Sequence, residues 1–359
     1  MSHRPTAQSQ PDALHLLLPG SLDAVTGGTL YDRRMCEALR VQGRLIRVHN
    51  LDASFPQPSA AALTAADVLL AGLPKGALVV VDGLAFGAMP DLAARHAARL
   101  RLVALVHHPL ALETGLDAAT AERLHASEAR ALRHASRVLV TSAHTARLLA
   151  DYAVPPERVR VVEPGTDPAP SAAGSAVGGG PVQLLCVGSV TPRKGHQLLV
   201  EALGQLRALD WRLDCVGSLT RDPQTVAALA GRIETLGLVG RVRLLGELGA
   251  ADLAGCYRSA DVFVLASLFE GYGMAFAEAL AHGLPVLGTT GGAIPDTVSA
   301  DAGVLVPPGD VAPLREALHR LLTDAGLRHR LAAGAARARA RLPDWPAAAA
   351  RFAAALADA

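Results

Sequence analysis

Residues 269–280 read Phe-Glu-Gly-Tyr-Gly-Met-Ala-Phe-Ala-Glu-Ala-Leu, and they follow the apolar run Val-Phe-Val-Leu at 262–265. An apolar run, a turn with two glycines and an alanine-rich segment predict a strand, a loop and a helix that begins near Gly273. A helix placed there directs unpaired N–H groups and the positive end of its dipole at an anion, and glycines let the anion approach the backbone. The stretch therefore predicts a phosphate-binding loop.

Two carboxylates, Glu270 and Glu278, flank this predicted helix start. Glu270 precedes the helix, and Glu278 lies about five residues inside it, roughly 7–8 Å along the axis. This spacing suits one carboxylate for a sugar on one side of a diphosphate and the other for a ribose on the other side. The alternative makes Glu278 a solvated helix residue and Glu270 a charge favoured by the helix dipole. The surrounding glycines and strand favour a site for a nucleotide sugar.

The same stretch resembles the Glu-x7-Glu motif of the GT-B fold glycosyltransferases, most closely retaining family 4, also called glycosyl transferases group 1. Residues 281–286, Ala-His-Gly-Leu-Pro-Val, resemble that family's Gly-x-Pro-Val strand entry. The resemblance is strong over residues 181–310 and weaker over the first half. It implies that Glu270 contacts hydroxyls of the donor sugar, that Glu278 holds the ribose, and that the turn between them binds the donor through Tyr272, Gly273 and Met274.

Composition places the chain among ordinary two-domain proteins. Half of its 359 residues are hydrophobic, and a net charge of +1 gives no field that argues for nucleic acid. No apolar run is long enough for a membrane span, and the polar residues 1–13 lack the apolar stretch of a signal peptide. The four cysteines have no C-x-x-C spacing and are interpreted as reduced packing residues of a cytoplasmic protein. They are Cys36, Cys186, Cys215 and Cys256.

Short apolar runs alternate with helical patterns along the chain, which predicts an α/β fold with parallel sheets. The predicted strands are 14–18, 45–49, 77–81, 102–106, 137–140, 159–162, 182–187, 213–216, 242–245, 262–265 and 286–288. Residues 1–167 and 181–342 then form two Rossmann-like domains that face each other across a cleft. The segment 168–180, rich in Pro, Ala, Ser and Gly, is the predicted linker. The resemblance implies that a last helix, within 343–359, crosses back to the first domain.

Lysine is rare here, because the 34 basic residues include only Lys75 and Lys194. Residues 187–195, Val-Gly-Ser-Val-Thr-Pro-Arg-Lys-Gly, resemble the family's Gly-Arg-x-x-x-x-Lys-Gly segment, whose Arg and Lys bind the donor diphosphate. A compact ammonium suits a departing phosphate, and Lys194 matches the family lysine. Ser189 stands where the family has arginine, so Arg193 is the remaining cation for the same phosphates. The alternative is a solvated Arg-Lys turn.

In the first half, Gly27-Gly28 follows a predicted strand and lacks the G-x-G-x-x-G pattern of dinucleotide enzymes. The resemblance implies that both glycines face the donor phosphates, although a tight turn explains them equally well. His107-His108 ends another strand, and the resemblance puts His107 beside the reacting sugar. No metal site is predicted, because no Cys, Asp or Glu lies near this pair at ligand spacing. Most of the other eleven histidines are predicted to be surface residues.

Three further segments carry predictions. Residues 163–167 resemble the family's inter-domain turn, for which Gly165 is predicted to have a positive φ. Residues 291–296 resemble a Gly-Gly segment that ends in Pro-Glu, with Asp296 replacing the glutamate. An Arg-rich helix predicted over 122–137 leaves open a peripheral contact with anionic lipid, but its alanines and acids favour a packed helix.

Together these features predict retaining transfer of a hexose-type sugar from a nucleoside diphosphate donor to an acceptor hydroxyl. Glu270, Lys194 and His107 are the predicted catalytic residues, with no cofactor and no metal. The acceptor, whether glycan, lipid or small molecule, stays open. One alternative is a GT-B sugar-nucleotide epimerase acting on the donor itself. Another is a non-catalytic subunit that binds the sugar nucleotide, an alternative suggested by Ser189 at the position where the family has arginine.

Overall fold

The N-terminal half forms a parallel sheet of six strands. The computed structural model describes residues 13–24, 26–113, 115–175 and 180–357. The predicted absence of a signal peptide concerns residues that lie almost entirely outside these ranges. The strands are β1 (Leu14–Pro19), β2 (Ile46–Leu51), β3 (Leu78–Asp82), β4 (Arg101–Val106), β5 (Arg137–Val140) and β6 (Val159–Val161), in the order β2-β1-β3-β4-β5-β6. All six predicted strands of this half are found, within one or two residues at their ends.

The C-terminal half forms a second parallel sheet of six strands with a different strand order. Its strands are β7 (Val182–Val187), β8 (Trp211–Val216), β9 (Val242–Gly246), β10 (Val262–Val264), β11 (Val286–Thr289) and β12 (Gly303–Val306), in the order β12-β11-β10-β7-β8-β9. The sequence prediction missed β12, a four-residue edge strand whose apolar run is too short to stand out. In both sheets the central strands are nearly continuous apolar runs, as burial on two faces requires.

Helices cover both faces of each sheet. They are α1 (Gly27–Val41), α2 (Ala60–Gly72), α3 (Gly83–Phe86), α4 (Pro90–His96), α5 (Ala118–Leu132), α6 (Ala143–Leu148), α7 (His196–Gly204), α8 (Pro223–Thr235), α9 (Ala250–Ser259), α10 (Met274–Ala281), α11 (Ile294–Thr297), α12 (Val311–Thr323), α13 (Ala325–Arg339) and α14 (Trp345–Ala357). Short polar caps start several of them. The Thr26 hydroxyl, for example, accepts from the Thr29 N–H at the start of α1.

Helix α14 packs against the N-terminal half. Trp345 and Phe352 are buried in the same apolar cluster as Tyr31 and Met35 of α1. The approach of α14 also explains Gly165, because a Cβ there would lie 2.4 Å from the Trp345 nitrogen. The predicted positive φ at Gly165 is wrong. Close packing, and not a left-handed turn, requires glycine at this position.

The Arg-rich helix lies four to five residues earlier than predicted. Helix α5 spans Ala118–Leu132 instead of 122–137, and Arg137 already begins β5. Its Glu128 is fully buried and accepts from the Leu110 N–H at 2.8 Å. Burial raises the pKa of Glu128 to about 8. One face of α5 is therefore fixed in the N-terminal core. Among the residues described, no helix has the length and apolarity to cross a membrane.

Candidate active site

Two loops at the carboxyl ends of β7 and β10 bring Glu270 together with two cations. Lys194 Nζ donates to Glu270 Oε1 at 2.6 Å, and the Ser267 hydroxyl donates to the same oxygen at 2.6 Å. Arg193 Nη1 donates to Glu270 Oε2 at 3.3 Å and to the Phe269 carbonyl at 2.8 Å. The structure thus joins three residues that the sequence assigned to sugar and diphosphate. Carboxyl ends of parallel strands are where open α/β sheets bind ligands.

Glu270 is only 5% exposed, and the cations around it decide its ionisation. Burial alone would raise the pKa of this carboxyl, but Lys194 and then Arg193 outweigh burial and lower it. Glu270 is therefore a buried anion at neutral pH. The carboxylate and its two cations carry a formal net charge of +1. Arg193 Nε also lies 3.5 Å from Glu113 Oε1 of the N-terminal half.

Glycines shape the loops that carry these side chains. Gly195 has φ +67°, and a Cβ there would lie 2.0 Å from the Ala266 carbonyl oxygen, so the turn after Lys194 accepts only glycine. The aliphatic stem of Lys194 lies against Gly188, with its Cδ 3.3 Å from the position of a Cβ. Gly273 has φ +90° and is the N-cap of α10, where no side chain caps the helix. The Phe276 N–H donates to the Gly273 carbonyl at 2.9 Å, and a helix start without a side-chain cap is a favourable place for an anion.

Glu278 has a different environment from Glu270. It lies inside α10, as predicted, and its Oε2 accepts from the Tyr257 hydroxyl at 2.9 Å. Burial raises the pKa of Glu278, and the Tyr257 hydrogen bond only partly offsets this effect. Asp167 and Arg34 are charged neighbours from the inter-domain segment and α1. Glu278 is thus a shielded acceptor beside the cleft.

The facing side of the cleft centres on His107 at the end of β4. Its Nε2 lies 3.3 Å from Asp32 Oδ1 of α1 and 3.4 Å from Asp82 Oδ2 at the end of β3. Both aspartates are buried. Burial alone would lower the pKa of His107, but Asp32 and then Asp82 outweigh it and raise that pKa to about 10. His107 is therefore an imidazolium at neutral pH.

Sequence reasoning missed Asp32 and Asp82, and the statement that no acid lies near His107 is wrong. Asp32, Asp82 and His107 belong to three elements that are far apart in sequence, so no local spacing signals the cluster. The only available signal was that β3 and β4 are neighbouring strands, which puts Asp82 and His107 at one sheet edge.

The glycine pair at the start of α1 lies beside His107. A Cβ on Gly28 would lie 3.2 Å from the His107 ring, so this position keeps the ring and the helix start in close contact. Gly27 is the first residue of α1. The Tyr31 ring meets the His107 ring edge-on at 5.2 Å. The N-terminus of a four-turn helix thus points at the same cleft as the imidazolium.

The two sides of the cleft touch along the 269–271 loop. A Cβ on Gly271 would lie 2.2 Å from the His107 carbonyl oxygen, which explains the glycine by close approach. The Phe269 ring lies 5.8 Å from the rings of both His108 and His144. Asp296, in the segment that resembles the family's Gly-Gly motif, accepts from the His144 N–H at 3.0 Å. Residues from both halves therefore form one site.

Three predicted donor residues lie outside these two clusters. Ser189 is half-buried just beyond β7. Met274 packs on the apolar cluster shared by α1 and α14. Burial and the neighbouring Glu163 raise the pKa of Tyr272, which indicates that its hydroxyl faces the inter-domain segment. Among the described residues, no hydrogen bond, ion pair or ring contact joins these three side chains to Glu270, Lys194 or His107.

Two family models match the chain. "Glycosyltransferase Family 4" matches residues 32–170, and "Glycosyl transferases group 1" matches residues 181–324. An MMP α-(1→4)-mannosyltransferase of Mycolicibacterium hassiacum is 30% identical over 286 residues, 75% of this chain and 67% of that protein. A D-inositol 3-phosphate glycosyltransferase of Xylanimonas cellulosilytica is 35% identical over 214 residues, 55% of this chain and 51% of that protein. The chain thus spans two thirds of the first relative and half of the second.

Solved structures share the fold over nearly the whole chain. A sucrose-phosphate synthase of Thermosynechococcus elongatus superposes with a TM-score of 0.78 at 22% identity, over 95% of this chain and 98% of that one. The Anabaena protein HepE, in complex with UDP and glucose, superposes with a TM-score of 0.74 at 18% identity, over 96% and 100% of the two chains. The predicted GT-B architecture is confirmed.

Proposed function

Because the chain belongs to the group 1, family 4 glycosyltransferases, we propose that it moves a hexose-type sugar from a nucleoside diphosphate donor to an acceptor hydroxyl, with retention of the anomeric configuration. The contact of Lys194 and Arg193 with the buried Glu270 is the observation that carries this proposal. It supplies two cations suited to a diphosphate beside a carboxylate suited to sugar hydroxyls. The mannosyltransferase relative and the UDP and glucose bound to HepE support a hexose donor.

The donor diphosphate binds at Lys194, Arg193 and the uncapped start of α10. Lys194 and Arg193 are partly exposed, at 17% and 24% of their side chains, so an anion reaches them from the cleft. The bond from the anomeric carbon to the phosphate breaks during transfer, and negative charge grows on the departing diphosphate. Fixed cations stabilise that growing charge more than they stabilise the bound donor, which lowers the barrier.

The two glutamates divide the rest of the donor. Glu270 accepts hydrogen bonds from hydroxyls of the sugar. Lys194 then donates partly to the phosphates and less to Glu270. Glu278 accepts the ribose hydroxyls and is held in place by Tyr257. Glu270 is buried and Glu278 is half-buried, so the hydrogen bonds that they accept are stronger than they would be at the surface.

His107 faces the sugar from the other side of the cleft. About a fifth of its side chain is exposed, 21%, while Asp32 and Asp82 hold its Nε2 from behind. The two carboxylates are positioning residues that keep the ring charged and fix its orientation. A charged donor beside the hydroxyls of the sugar, away from the ring oxygen where positive charge develops, orients the sugar without adding a second strong site for the diphosphate.

The proposal needs no divalent metal, because two cationic side chains and a helix start supply positive charge at the phosphates. A donor panel of UDP-, GDP-, ADP- and dTDP-hexoses, screened first by thermal shift, identifies the base. Release of the nucleoside diphosphate and NMR of the anomeric proton of the product then test the reaction. Conversion of donor alone into its epimer would favour the epimerase. Donor binding without any turnover, across donors and acceptors, would favour the non-catalytic subunit.

A further inference from the structure

A second cluster of chemically active side chains lies below the Lys194 loop, inside the C-terminal sheet. Cys186 of β7 and Cys215 of β8 are register partners on neighbouring parallel strands, so both thiols project from the same face. His196 is the first residue of α7, which packs on that face. The two sulfurs and an imidazole nitrogen all lie within 4.8 Å of one another.

Burial makes this cluster unusual. Cys186 is 0% exposed, and Cys215 and His196 are each 2% exposed. Neither ring nitrogen of His196 has a hydrogen-bond partner within the described part of the chain. Buried polar atoms are nearly always partnered, because each one left alone costs about 1–3 kcal/mol. His196 is thus a buried potential metal ligand whose ring nitrogens have no hydrogen-bond partner within the described residues.

We propose that Cys186, His196 and Cys215 bind one zinc ion. Two thiolates and a neutral imidazole are donors that zinc prefers, and with Zn–S near 2.3 Å and Zn–N near 2.0–2.1 Å the donor atoms stand about 3.3–4 Å apart. The cluster therefore needs to contract by no more than about 1.5 Å. Two thiolates also cancel the charge of Zn²⁺, so the complex adds no net charge to the core.

The ion would tie the Lys194 loop to the sheet through three protein ligands, with the fourth tetrahedral position left for a water molecule. His196 follows the turn at Gly195 and lies two residues after Lys194. A bond from zinc to the His196 ring would therefore tie this turn to β7 and β8. The ligand atoms are enclosed by the C-terminal core and do not open to the cleft. The proposal is therefore independent of the proposed transfer reaction, in which no metal contacts the donor.

Zinc content of the purified full chain tests the proposal. The protein is loaded with zinc, freed of excess by gel filtration, and analysed by inductively coupled plasma mass spectrometry without any donor. The test variants are Cys186→Ala, Cys215→Ala and His196→Gln. Cys36→Ala is the matched control, because Cys36 is a buried cysteine of the N-terminal core. We expect one zinc ion per chain in wild type and control, and loss of stoichiometric zinc in the three variants.

Two further measurements distinguish loss of the zinc site from loss of the fold in the variants. Cobalt(II) in place of zinc should give thiolate-to-cobalt charge-transfer absorption in the wild type, which does not depend on whether the variants fold. Zinc should also raise the melting temperature of wild type and control by a few degrees, through binding to the folded state alone. No zinc retained and no cobalt–thiolate band in the wild type would overturn the proposal and leave a packed thiol–imidazole cluster. Zinc retained in all three variants would equally overturn it.

Discussion

On the C-terminal side of the cleft a carboxylate, Glu270, is held by the cations Lys194 and Arg193, whereas on the N-terminal side a cation, His107, is held by the carboxylates Asp32 and Asp82. The three residues of the first cluster sum to a formal charge of +1 and the three residues of the second to −1, but Glu113 of the N-terminal half lies 3.5 Å from Arg193 and lowers the first sum. In the proposed function the diphosphate binds at the two cations of the C-terminal side, and the sugar faces the N-terminal side.

The environment of each central group keeps it charged at neutral pH. Lys194 and Arg193 overcome the effect of burial and lower the pKa of Glu270, while Asp32 and Asp82 overcome burial and raise the pKa of His107 to about 10. The two sides therefore differ in the sign of their central group and of its two partners, and this difference supports the proposal that the diphosphate binds to the C-terminal side.

The largest expected effect comes from removing the lysine. Lys194→Ala should lower turnover by roughly 10²- to 10³-fold, as loss of one preorganised donor to developing charge typically does. Lys194→Arg should restore only part of it, because a planar fork does not reproduce a compact ammonium. The measurement is kcat for donor consumption with the fold confirmed by melting temperature.

Lys75→Ala is the matched control for this experiment. Lys75 is the other lysine of the chain and lies exposed in a turn before β3. It should retain full activity. A fully active Lys194→Ala protein with unchanged melting would show that the C-terminal cluster is a solvated turn, and the contrast between the two sides would collapse.

The two glutamates should respond differently to the same isosteric change. Glu278→Gln should weaken donor binding roughly 10- to 100-fold, the value of a hydrogen bond to a charged group, with little change in kcat. Glu270→Gln should mainly lower kcat, because its contact with the sugar strengthens as the bond breaks. Glutamine at 278 still accepts from Tyr257, so the fold is preserved. Equal changes of kcat and KM in both variants would contradict the division of roles.

A smaller effect concerns stability on the N-terminal side. The folded pKa of His107, about 10, lies above its ordinary value of 6.5, so its contribution is complete below pH 6.5 and is lost as the pH rises towards 10. Asp82→Asn keeps the oxygen that accepts from Leu84 N–H but removes a charge that favours the imidazolium. The loss of stability in this variant should therefore be largest near pH 6.5 and shrink towards pH 10.

Denaturant unfolding at several pH values measures that trend. Asp91→Asn is the control, since Asp91 forms only an exposed ion pair with Arg130 in the same half. Its small effect should not change over this range. A penalty for Asp82→Asn that stays constant or grows with pH would mean that His107 is neutral and that the two sides do not differ as described.

No effect at all is expected from brief chelation. Turnover should survive EDTA in the assay and should not need added magnesium or manganese, because Lys194 and Arg193 neutralise the diphosphate. If chelation abolished turnover and either metal restored it, a metal ion rather than the C-terminal cluster would neutralise the diphosphate. An enclosed zinc at Cys186 and Cys215 would exchange slowly, so metal content after the assay separates the two cases.

The sequence predicted the C-terminal side better than the N-terminal side for a physical reason. Glu270, Gly273 and Glu278 lie on one continuous strand–loop–helix unit, so their spacing along the chain translates directly into spacing in the site. The contact of Glu270 with Lys194 was less accessible, because it joins the ends of β10 and β7, which pair side by side in the sheet although they are far apart in sequence. Local sequence patterns predict the strands, but they do not predict the order of the strands in the sheet.

On the N-terminal side the site depends wholly on tertiary packing. Asp32 lies in the middle of an ordinary amphipathic helix, and Asp82 reads as a strand end that caps the next helix. The pairing of β3 with β4 brings Asp82 to His107, and the packing of α1 on this sheet brings Asp32. The same limit applies to Cys186 and Cys215, whose pairing follows from the register of two strands. Periodicity predicts elements, while contacts between elements require the folded chain.

Calorimetric titration of the nucleoside diphosphate product tests the central claim most directly, because it measures the diphosphate site without chemistry or sugar. Compared with wild type, Lys194→Ala should bind it roughly 10- to 100-fold more weakly, as expected for loss of a charged hydrogen bond. His107→Gln should bind it with nearly unchanged affinity, since the N-terminal side faces the sugar. Equal affinity in wild type and Lys194→Ala, or a larger loss in His107→Gln, would contradict the assignment of the diphosphate to the C-terminal side.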